Sequence, residues 1–304
     1  MVPVAVTPVP VAPDAGTDAA VPGALVRAAG TDNLFLLSFD PAAAADEVPM
    51  PVLNVLPGGP GVTDTLPLVT PRGLRVFTLG GQTLAAVDPA TGARKGVTLP
   101  FSGRHLVPYV GADGAQQALV WTEKANAVAF ARLDEVEQAR GRAVSVLTLQ
   151  SGVDALLPIP GRAAAVAVNA TRLVILDFVD QTATPFDIGG SLGGTYSDNS
   201  YEYGYAETRI DTKDAIRISD DGAFLFAAVE ANGPRAVAID LETGAAGSVS
   251  LERQGRLLLL PGADRLVVDH ADALGAVSVL PAGALDDAEV ERHTDLFLTE
   301  VFSR

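Results

Sequence analysis

The chain has 304 residues, with 37 acidic against 21 basic side chains and a net charge of −16. That balance repels polyanions and argues against DNA or RNA as a partner. The absence of cysteine removes disulfides, thiolate metal sites and a cysteine nucleophile. No apolar run reaches the roughly 18 residues that a membrane-spanning helix needs.

Residues 1–23, MVPVAVTPVPVAPDAGTDAAVPG, are rich in Pro, Ala and Val and show no strand or helix period. Spaced prolines favour extended chain and cannot continue a ladder. The stretch reads as a flexible tether like the one that follows the processing site of exported bacterial lipoproteins, the lipid anchor having been lost from the N-terminus. The plainer reading is an ordinary disordered terminus.

From residue 24 a single phrase recurs: a short apolar strand, an acidic turn, another strand. Its turns fall at Asp40, Asp88, Asp134, Asp177, Asp240 and Pro281, in steps of 48, 46, 43, 63 and 41. A period of about 40 to 50 residues with several strands per unit is the signature of a β-propeller blade. The fifth unit shows the frame most clearly. Ala215–Ile218, Ala223–Glu230, Arg235–Asp240 and Gly247–Leu251 read as strands, separated by Ser-Asp-Asp-Gly, Asn-Gly and Leu-Glu-Thr-Gly turns. The units span about 24–57, 62–101, 104–149, 153–189, 214–251 and 255–293, with an insertion at 190–213.

The first unit lacks one strand, and the chain ends on a strand-like segment, Leu296–Phe302, with no unit of its own. An open ring exposes two sheet edges. The expectation is therefore an all-β, six-bladed propeller over 24–304, built of four-stranded antiparallel blades. Residues 296–302 would complete the first blade and close the ring.

The turns ISDDG at Ile218, AIDLETG at Ala238 and AAVDPATG at Ala85 resemble those of the bacterial YVTN/WD40-like propeller repeat family. The YVTN tetrapeptide itself is absent, as is the Trp-Asp signature of eukaryotic WD40 repeats. The resemblance implies a propeller and, for function, extracytoplasmic scaffolding or ligand binding, with a minority of enzymes such as lactonases and quinone-dependent dehydrogenases.

Two groups of residues stand out as candidate sites. Asp64, His105, Asp154, Asp214 and Asp295 each lie directly before the expected innermost strand of a blade. Gathered round a channel, they would form an oxygen-rich ring suited to Ca²⁺, and such an ion polarises a carbonyl or activates water. Aspartate is equally the ordinary turn residue, because its side chain bonds nearby N–H groups. The second group is the insertion, which holds four of the five tyrosines, Tyr196, Tyr201, Tyr203 and Tyr205, interleaved with Asp198, Asn199, Glu202 and Glu207. Clustered tyrosines offer stiff amphipathic contact area. The same alternation also suits an extra edge hairpin that only packs on the domain.

No nucleophile elbow, phosphate loop or metal-spaced histidine pair is present. The expected function is a non-enzymatic propeller of the bacterial cell envelope, outside the cytoplasm, binding a protein or surface component through the tyrosine loop. The alternative is a Ca-dependent, lactonase-like hydrolase with His105 as general base.

Overall fold

Period-two apolar segments bounded by Gly, Asp and Asn bury their side chains only by pairing as strands. In the computed structural model of the chain, the described residues are 3–9, 23–38, 52–198, 206–260, 262, 264–270, 275–285 and 290–294. They form 27 strands and one turn of α-helix. The chain divides into two compact units, Met1–Gln150 and Ser151–Arg304.

The first unit holds three four-stranded antiparallel sheets. The first sheet is β1 (Pro3–Val9), β2 (Gly23–Ala28), β3 (Asn33–Ser38) and β4 (Val52–Pro57). The second is β5 (Val62–Thr70), β6 (Gly73–Gly80), β7 (Thr83–Val87) and β8 (Arg94–Thr98). The third is β9 (His105–Val110), β10 (Gln116–Trp121), β11 (Ala127–Arg132) and β12 (Val144–Thr148), with α1 (Leu133–Val136) between its last two strands.

The second unit repeats the plan. Its first sheet, the fourth of the chain, is β13 (Ala155–Pro158), β14 (Ala164–Asn169), β15 (Arg172–Asp177) and β16 (Thr182–Phe186). The fifth begins with β17 (Ser191–Leu192). After the hairpin β18 (Gly194–Asp198) and β19 (Ala206–Ile210), it continues with β20 (Ile216–Ile218), β21 (Phe224–Glu230), β22 (Pro234–Asp240) and β23 (Ala246–Ser250). The sixth is β24 (Arg256–Leu260), β25 (Arg265–Asp269), β26 (Ala276–Pro281) and β27 (Glu291–Thr294). Six four-stranded antiparallel sheets in succession are the plan of a propeller-like fold.

Small side chains let these sheets stack closely. In the second sheet Val76 and Val87 pack with Leu25, Leu34, Leu36 and Leu56 of the first. Phe77, Leu79, Leu84 and Ala86 pack with Ala118, Val120, Ala129 and Ala131 of the third. A sheet buried on both faces needs apolar residues at consecutive positions, which explains the runs AAV and ALV. The second unit has one continuous core running through Val166, Val168, Phe226, Ala228, Leu257 and Val268.

The repeated acidic turn has a backbone cause. In DPATG, the Asp88 carboxylate accepts the Ala90 N–H at 3.0 Å, and the Asp88 carbonyl accepts the Gly92 N–H at 2.8 Å. In DLETG, Asp240 accepts the Glu242 and Thr243 N–H groups at 2.8 Å each. Gly92 and Gly244 close the two turns with φ of 68° and 74°, which side chains disfavour. In the fourth sheet, Gln181 takes the corresponding place at φ 52°.

Three expectations are corrected. The tether was expected to run to residue 23, but Pro3–Val9 is a strand paired antiparallel with β2. Its prolines are tolerated because β1 is the last strand of its sheet, with β2 on one side only. The strand missing from the first unit thus comes from the N-terminal side, where Leu296–Phe302 had been expected. That segment lies outside the described residues. The connection around Asp134, read as a plain turn, is the helix α1. Among the described residues no helix is long and apolar enough to cross a membrane.

Candidate binding sites

Each described residue of the expected ring has partners within its own unit. Asp64 lies in β5, and both its oxygens accept backbone N–H groups at 2.8 Å, Oδ1 from Thr65 and Oδ2 from Leu106 in β9. It clips the first strand of the second sheet to the first strand of the third. His105 opens β9, with its ring stacked on Trp121 at 4.5 Å. Its Nε2 sits 2.8 Å from Glu123 Oε1, and both side chains are near 40% exposed. Burial pushes the Glu123 carboxyl up. The His105 hydrogen bond, its own N–H and the charges of His105 and Arg104 outweigh this and leave it below the ordinary value. Asp154 donates its N–H to Val168 O at 2.7 Å, and Asp214 sits in a 3-10 turn, donating its N–H to Asp211 O at 2.8 Å. Asp295 lies outside the described residues. Among the described residues, no group of three or more His, Asp or Glu side chains comes together to hold a metal ion.

The insertion has an unexpected place in the sheet. β17 and β20 lie on the same side of β21. Leu192 pairs with Val229 and Ile216 with Ala227. The chain therefore leaves the first-strand position after two residues, makes the hairpin β18–β19 and returns to the same position. The hairpin is a two-stranded sheet of its own, with Gly194 opposite Ile210 and Asp198 opposite Ala206. Leu192 and Ile210 at its base are buried in the core. Tyr196, Asp198 and Glu207 are on its strands. Asn199, Tyr201, Glu202, Tyr203 and Tyr205 fall in the connection, outside the described residues.

A third location was missed by sequence reading. Arg72, Arg75, Asp88, Lys95 and Glu137 line a cavity of about 130 Å³ in the first unit. Arg94 and Lys95 begin β8, where Lys95 stands opposite Ala86. This register sets Lys95 on the same face as Arg75 and Asp88. Glu137 follows α1, whose buried Leu133 and Val136 fix it over that face. The Glu137 side chain is only 5% exposed, and its Oε2 is 3.6 Å from Arg72 and 4.0 Å from Arg75. Its Oε1 is buried without a hydrogen-bond partner. Arg75 is held by Asp88 Oδ1 at 3.6 Å and by donation to Leu74 O at 2.8 Å. The residues at 72, 95 and 137 are far apart in sequence, and the only linear signal was the long charged connection between β11 and β12.

No family model and no curated protein matches the chain. Among solved structures it is similar to the dihydro-heme d1 dehydrogenase NirN, with 16% identity and a TM-score of 0.48 over 88% of this chain and 53% of that one. It is also similar to a 6-phosphogluconolactonase candidate from Bacteroides fragilis NCTC 9343, with 11% identity and a TM-score of 0.40 over 95% of this chain and 97% of that one. The chain thus spans about half the length of NirN. Likeness at this level carries neither activity over to it.

Proposed function

We propose that the chain is a non-enzymatic, propeller-like binding protein of the bacterial cell envelope, recognising a protein or surface component through the hairpin β18–β19. In this reading the six sheets are the blades of one closed propeller. The observation that carries the reading is the hairpin's origin. It interrupts the first strand of the fifth sheet, adds nothing to that sheet's ladder, and pairs only with itself among the described residues. An element that neither extends a sheet nor replaces a turn is well placed to serve recognition. Its sequence supplies Tyr196, Tyr201, Tyr203 and Tyr205, and tyrosine gives large contact area at low ordering cost. The location outside the cytoplasm is supported by the family resemblance and by the Pro- and Ala-rich stretch at residues 10–22.

The test is an excision matched to the register. Gly194 and Ile210 are direct partners across the hairpin, so Thr195–Arg209 is replaced by Asn-Gly, which makes a two-residue turn. Ser191–Leu192 and Ile210 stay, because they belong to the sheet and core. The intact chain is expected to retain a specific component of an envelope extract, and the excised chain, still folded, to lose it. Equal retention by both overturns the role of the hairpin. Fractionation that finds the protein in the cytoplasm overturns the placement.

A further inference from the structure

The cavity beneath α1 combines two demands that rarely meet by accident. Arg72, Arg75 and Lys95 bring three positive charges against two negative ones from Asp88 and Glu137, which leaves one positive charge in excess. Lys95 is exposed at the rim and makes no ion pair among the described residues. At the floor, Glu137 Oε1 is a buried acceptor with no donor. Leaving such an acceptor unmet is costly, and more so for a charged group, and the surrounding guanidinium groups stand too far off to serve it. The Arg72 and Arg75 nitrogens are 3.6 and 4.0 Å from the other carboxylate oxygen, beyond hydrogen-bond reach.

From this pairing we infer that the cavity binds a small anion carrying its own hydroxyl donor, a hydroxycarboxylate or a phosphate monoester. The anionic oxygens meet Lys95 and Arg72, and the hydroxyl donates to Glu137 Oε1. A simple anion satisfies only the rim, because its oxygens would be repelled by Glu137. A cation would face the excess positive charge. A neutral sugar would leave the charge of Lys95 unmatched. The site is independent of the hairpin β18–β19 and of the partner proposed for it.

The experiment is titration calorimetry of the full chain with four sodium salts at fixed ionic strength: acetate, glycolate, glycerate and glycerol 3-phosphate. Glycolate differs from acetate by one hydroxyl and is expected to bind at least about tenfold more tightly. Whichever of glycerate and glycerol 3-phosphate binds more tightly assigns the anionic group. Lys95→Gln is expected to weaken the tightest ligand about tenfold. Glu137→Gln, which keeps one acceptor oxygen but loses the charge, is expected to reduce the preference for glycolate over acetate. Equal binding of acetate and glycolate, no saturable binding of any of the four, or unchanged affinity in Lys95→Gln overturns the inference. Lys95 is an exposed strand residue, so its variant folds and decides the matter even where Glu137→Gln does not.

Discussion

The two units use the same three-sheet template and depart from it in opposite ways. In the first, the extra residues sit between the third and fourth strands of a sheet and form α1. In the second they sit inside a first strand and form β18–β19. The first insertion leaves every ladder intact, and its apolar residues Leu133 and Val136 fold down to 1% and 0% exposure. The second splits a strand, yet β21 is seven residues long and keeps a partner near each end, Val229 with Leu192 and Leu225 with Ile218. Position within the strand plan thus decides whether added chain joins the core or pairs as a separate sheet. It also sets what each addition carries: α1 leads into Glu137 at the charged cavity, whereas the hairpin is a two-stranded sheet of its own.

The comparison breaks most readily at Leu133. Leu133→Ala is expected to destabilise the first unit by about 2–5 kcal/mol, the usual cost of truncating a fully buried leucine, as measured by urea unfolding. Excising Thr195–Arg209 removes more chain but is expected to change stability by only about 1 kcal/mol or less, since it leaves the core residues in place. If the excision costs as much as the leucine truncation, the hairpin is packed core like α1, and the contrast fails.

A smaller effect is expected at Asp64. Its carboxylate joins two sheets through the Leu106 N–H, and hydrogen bonds to charged groups are worth about 1.5–3 kcal/mol. Asp64→Ala is expected to cost about that much, and Asp64→Asn less, because one side-chain oxygen remains. In the second unit Asp214 lies near the charge of Arg217, and Asp214→Ala should stay within about 0.5 kcal/mol. Melting curves for the three variants test whether the aspartates before the first strands share one role. Equal losses at Asp64 and Asp214 would show a common function where the structure shows a local one.

How legible this was in the sequence follows from which forces act locally. Strands such as Thr83–Val87 and Ala127–Arg132 were readable because alternation and Asp-Gly turns state their backbone demands within a few residues. β1 was not, because Pro3 and Pro8 argue against a strand everywhere except at an edge, and sequence does not reveal which strand is last. α1 was hidden because one helical turn is too short for a period. The hairpin was legible from length alone, but not its split of the first-strand position, which depends on pairing with Val229. The charged cavity was least legible of all. Arg72, Lys95 and Glu137 meet only through strand register and stacking of sheets, and neither leaves a mark on the linear chain. Conversely, the aspartate series was conspicuous in sequence, and at Asp64 its visible cause is the satisfaction of nearby N–H groups.

The gentlest contrast lies in pH. The second unit buries His270 beside Ser278, with Nε2 2.8 Å from the serine Oγ and Nδ1 3.3 Å from Gln254 O. Burial lowers its proton affinity, and the carbonyls of Gln254 and Arg253 with the charges of Asp269 and Glu252 offset this only in part. The unfolded histidine takes up its proton near pH 6.5, while the folded one resists until lower pH. Stability from this group is therefore whole above about pH 6.5 and declines as pH falls toward the folded value. Asp113, Asp221 and Asp240 have lowered values as well. Their contributions begin to fade only in the carboxylate range near pH 4, so the interval from pH 6.5 to about 5 isolates the histidine. His270→Gln is expected to flatten the fall in melting temperature over that interval. His105→Gln, on a half-exposed ring in the first unit, serves as the matched control. A slope unchanged by His270→Gln would mean that the buried His270–Ser278 pair does not make the second unit acid-sensitive.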